Sequence, residues 1–162
     1  MNNIINHLLS VVILTLTISC NSIIDNAYTN RAELLKKFEG NDIINRGDIY
    51  YMVLRNDSSK QEFFFEKEMD GSKYCIINDS VPNKIEEKEA YERFNDFLTD
   101  MKSYGIISFT SEYAKHGILL KINFEKKELY YIESVDSIKN KEWLKFINNA
   151  NKIDKNWYWR KI

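Results

Sequence analysis

Hydrophobic and polar positions divide the chain into an opening apolar run and a longer stretch whose period keeps changing. Residues 1–19 carry no Lys, Arg, Asp or Glu, and Leu8 to Ile18 is an unbroken run of apolar and hydroxyl side chains. Beyond it the pattern is mixed. Asn30–Phe38 has helical spacing, with Ala32, Leu35 and Phe38 on one face, Thr29 as a cap and Gly40 beyond the end. Asn41–Gly47 reads as a loop. From Asp48 the period falls to two. Asp48–Arg55, Gln61–Glu68 and Lys73–Ile77 read as strands, separated by the turn cluster Asn56–Lys60 and by Asp70-Gly71.

A second helix is expected over Lys84–Tyr104. Asn83 and Glu86 have capping-box spacing, and Tyr91, Phe94, Phe97, Leu98 and Met101 form an apolar stripe ending before Gly105. Three strands follow: Ile106–Ser111, Gly117–Phe124 and Leu129–Glu133. A third helix near Lys139–Asn149 places Trp143, Leu144, Ile147 and Ala150 inward, and Trp157–Lys161 closes the chain as a strand. Runs of adjacent strands interrupted by helices imply an α+β fold. The expectation is an antiparallel sheet of about six to seven strands with two or three helices packed on it. Aromatic neighbours on opposite faces (Tyr50-Tyr51, Tyr130-Tyr131) suggest helices on one face and a partly exposed second face.

The opening run is shorter than the roughly 20 residues that span a bilayer and suits the apolar centre of an export signal. It ends in Leu16-Thr17-Ile18-Ser19-Cys20, which resembles the lipobox of bacterial lipoproteins. Ser19 matches the small residue before the cleavage point and Cys20 the lipidated residue. Thr17 replaces the usual leucine, and the preceding segment lacks Lys and Arg. The resemblance, similar to small envelope lipoproteins of Bacteroidota, implies residues 1–19 as signal peptide and an acylated Cys20. Residues 20–28 then form a tether and 29–162 a single domain in the cell envelope, in the outer membrane since no aspartate follows Cys20. No family is recognised for the domain.

With Lys+Arg 23 against Asp+Glu 24, the chain has no basic surplus for nucleic acid. The second cysteine, Cys75, lies in an apolar run and reads as a buried thiol. Beyond Cys20 there is one histidine, His116, beside Gly117; it reads as a turn residue, with a hydrolase using it as the alternative. No metal cluster, phosphate loop or dinucleotide fingerprint calls for a cofactor. Arg46-Gly47-Asp48 spells an adhesive tripeptide, at a junction where glycine has a backbone reason to be. Asp79-Ser80-Val81 and Asp136-Ser137-Ile138 resemble the O-glycosylation acceptor site of Bacteroidota, which implies glycans on Ser80 and Ser137; helix caps are the other reading. Trp157, Tyr158 and Trp159 either close the core or form an aromatic platform for a glycan, peptide or protein. A non-enzymatic binding module is the function expected on balance. An immunity or inhibitor lipoprotein against an envelope-acting toxin is a specific version of it.

Overall fold

The computed structural model describes residues 26–56, 59–66, 74–76 and 85–162. The sequence-based turn at Asp70-Gly71, the cap at Asn83, Ser80 and the segment around Cys20 lie outside the described residues, as does the side chain of Cys75. The fold is α+β, as expected. Among the described residues nine strands form one antiparallel sheet in the order β4-β3-β2-β1-β5-β6-β7-β9-β8.

The described residues open with a helical turn at residues 26–29 that leads into α1 (Arg31–Phe38). The turn carries the fold's beginning further forward than expected. Ala27 is fully buried, and the Tyr28 hydroxyl reaches Asp154 at 3.5 Å. Thr29 does not cap α1. Asn30 occupies that position, its side chain donating back to Asn26. The buried face of α1 is Leu34 and Phe38, and Ala32 is exposed.

Four strands follow, not three: β1 (Asp42–Arg46), β2 (Ile49–Asn56), β3 (Ser59–Glu66) and β4 (Tyr74–Ile76). They build outward from the middle of the sheet to one edge. Then α2 (Glu87–Ser103), about 26 Å long at 1.5 Å per residue, returns across the sheet to β5 (Ser108–Thr110). Its buried stripe is Ala90, Phe94, Phe97 and Met101, with Tyr91 and Leu98 on its shoulders. The helix ends in a Schellman arrangement: Ile106 N–H donates to Met101 O and Gly105 N–H to Lys102 O. Strands β6 (Ile118–Asn123) and β7 (Lys127–Ile132) extend the sheet the other way. After α3 (Lys141–Asn148), β8 (Asn151–Lys152) and β9 (Trp157–Lys161) complete it. The Asn140 side chain caps α3, accepting from Glu142 N–H at 2.9 Å and Trp143 N–H at 3.2 Å.

The helices divide between the two faces, which corrects the expectation of one covered face. On the first face α1 and α2 pack Phe38, Phe94, Phe97 and Met101 onto Ile43, Met52, Phe63, Phe65, Phe109, Leu120 and Trp157. Phe65 and Phe94 stack at 3.8 Å between ring centroids, and Phe38 and Phe109 at 4.1 Å. On the second face α3 sets Ile147 against Ile118, Tyr130, Ile132 and Tyr158, but only over the β6-β7-β9 half.

Candidate functional site

Among the described residues α3 covers half of the second face, and none of their helices lies over the other half, on β1, β2 and β3. Strand alternation decides what appears there. Asp42, Ile44 and Arg46 of β1 lie beside Val53, Tyr51 and Ile49 of β2. Val53, Tyr51 and Arg55 in turn lie beside Glu62, Phe64 and Lys60 of β3. Nine of these ten residues (all but Ile49), together with Glu112, enclose a depression of about 340 Å³. A second depression of about 520 Å³ adjoins it and shares Arg55, Lys60 and Glu112; Glu39, Ser111, Lys115 and Leu119 help to line it.

The base of the first depression is fixed by a buried carboxylate. Asp42, 3% exposed, accepts from Arg55 Nη2 at 2.6 Å, from Thr110 Oγ1 at 3.0 Å and from Ser111 N–H at 2.7 Å. Arg55 Nη1 donates to Gly40 O at 3.0 Å, and Gly40 N–H donates to Ser111 Oγ at 3.0 Å. Three strands and the end of α1 are thus tied to one side chain. Charge-assisted bonds of this number hold the guanidinium in one orientation.

One wall is a second ion pair. Lys60 meets Glu62, and the Tyr51 hydroxyl also bonds Glu62. The hydrogen bond from Lys60 holds the Glu62 carboxyl below the ordinary carboxylate value, and the same bond raises the Lys60 ammonium. Burial, reinforced by Glu62, raises the Tyr51 phenol. Tyr51 is also boxed in by aromatic and cationic groups. Phe64 lies 4.9 Å from its ring centroid, and the Arg46 guanidinium sits over it at 5.3 Å.

A second charged cluster lies under α3. Glu128, buried, accepts from Lys121 Nζ at 2.7 Å, from Arg160 Nη2 at 3.0 Å and from the Tyr130 hydroxyl. Burial pushes the Glu128 carboxyl up, but the bonds from Lys121 and Tyr130 and the nearby cations leave it lowered. Arg160 packs its guanidinium 4.1 Å from the Phe146 ring centroid. This cluster closes the α3 interface.

The residues singled out in the sequence are placed apart. Trp157 is 4% exposed and belongs to the first core; Tyr158 is 6% exposed and belongs to the second. Trp159 is half-buried under Lys127, whose ammonium lies 5.0 Å from its ring centroid. The three do not form one exposed platform, because strand alternation sends Trp157 into the first core and Tyr158 into the second. His116 ends a short 3-10 turn, Ala114–His116, half-buried, and lines neither depression over the open face. Ser137 is exposed, but its hydroxyl donates to Ser134 O at 2.6 Å. Arg46-Gly47-Asp48 spans the tight β1–β2 hairpin, where Arg46 pairs with Ile49. Among the described residues no group of three or more His, Cys, Asp or Glu side chains is placed to hold a metal. No helix among them is long and apolar enough to cross a membrane.

Asp42, Arg55, Tyr51 and Glu62 escaped the sequence reading as a site. The available signal was the pair Tyr50-Tyr51, which puts an aromatic on the face opposite α2. Comparison with protein families, with curated proteins and with solved structures finds no match to this chain.

Proposed function

We propose that the chain is an envelope lipoprotein, held to the outer membrane by acyl chains on Cys20, and that its body is a non-enzymatic binding module. The partner docks on the uncovered sheet face over β1, β2 and β3. The observation that carries this reading is the contrast between the two halves of that face. One half is sealed by α3, while the other presents a depression with rigid ion pairs, two aromatic rings and a buried Val53 as floor. A solvated outer face needs no such ordering. Buried charge networks around a concavity place polar groups in fixed positions, which a binding surface uses.

The lipid anchor rests on the pattern from Leu8 to Cys20. Two or three acyl chains contribute about 0.8 kcal/mol per buried methylene, so attachment would be effectively permanent. An immunity lipoprotein is the version in which the docked partner is a toxin.

The test has two arms. Radioactive palmitate should label the chain and fail to label Cys20→Ala. Photo-crosslinking residues at Ile44 or Phe64 should then capture a partner from intact membranes, whereas the same residue at Lys126, on the β6–β7 turn, should not. Equal capture at all three positions would remove the open face as the docking site, and undiminished labelling of Cys20→Ala would remove the anchor.

A further inference from the structure

We draw no further inference here: the strongest candidate, the surface depression along α3 where the half-buried rings of Trp143 and Phe146 stand among Asn140, Glu142, Lys145 and Asn149, is an aromatic patch for which nothing in the structure shows what covers it.

Discussion

Two glycines with similar backbone angles separate strain from crowding. Gly40 has φ +80° and Gly117 φ +89°, both in the left-handed region that a side chain disfavours by about 1–2 kcal/mol. A methyl group on Gly40 would meet nothing within 4 Å. On Gly117 it would come to 2.7 Å from Ser137 Oγ and 3.1 Å from the Ser137 backbone. Gly117→Ala should therefore lower the urea midpoint clearly more than Gly40→Ala. Similar midpoints would mean that the Ser137 turn yields without cost. The two ion pairs of the open face divide in the same way. Asp42→Ala leaves Arg55, the Thr110 hydroxyl and Ser111 N–H without their acceptor in a buried place, and should cost about 3 kcal/mol. Lys60→Ala removes a lysine whose side chain is half exposed and should cost less than about 1 kcal/mol in the same denaturation assay. If both cost the same, Asp42 is not the keystone of the groove.

Elements with a strong period were legible in the sequence, and those held by distant neighbours were not. The α2 stripe at Phe94, Phe97 and Met101 and the alternation of Ile118, Leu120 and Ile122 in β6 appear where the spacing puts them. The sequence pattern makes β1 a loop, because Asn41, Asp42 and Asn45 are turn formers. It is a strand because β2 and β5 pair with it from both sides, and one of its two isoleucines, Ile43, faces the core. The alternation of Trp157, Tyr158 and Trp159 was correct as geometry. What the pattern could not carry is that α3 packs on the face opposite α2, which depends on the route the chain takes around β7. The depression over β1, β2 and β3 was illegible for a related reason: its residues come from those three strands and from Glu112 beyond β5, with no local spacing to join them. The α3 interface makes its own prediction. Glu128 is held below the ordinary carboxylate value of 4.5 in the folded state. Its contribution to stability is therefore complete above that value and disappears as pH falls through the lowered one. Melting temperatures taken from pH 7 down to pH 3 should fall more steeply for the unmodified chain than for Glu128→Gln. Parallel curves would show that Lys121 and Arg160 do not act through this carboxylate.

At the scale of the whole molecule, the early start of the fold limits how the body can stand at a membrane. Tyr28 and Arg31 both reach Asp154, Arg31 at 3.1 Å, so the first of the described residues are fastened to the β8–β9 corner. Ala27 is fully buried, and Cys20 stands seven residues before it. By chain length alone, seven residues reach no further than about 25 Å. A sheet of nine strands is about 40 Å wide at 4.8 Å per strand. If Cys20 carries the lipid, the β8–β9 corner stays close to the headgroups while the β4 edge, at the other side of the sheet, lies beyond the tether's reach. Lys155 and Lys152 belong to that corner. Lys161 lies at the other end of β9, about 13 Å further along at 3.3 Å per residue, beside the β6–β7 turn that carries Lys126. A lipid bearing an amine-reactive group on its headgroup should therefore modify Lys155 and Lys152 before Lys126 and Lys161. Inserting about 20 flexible residues after Cys20 adds a root-mean-square reach of about 25 Å and should abolish the difference. Equal modification of all four lysines in the chain without the insertion would show that the short connection does not set the orientation.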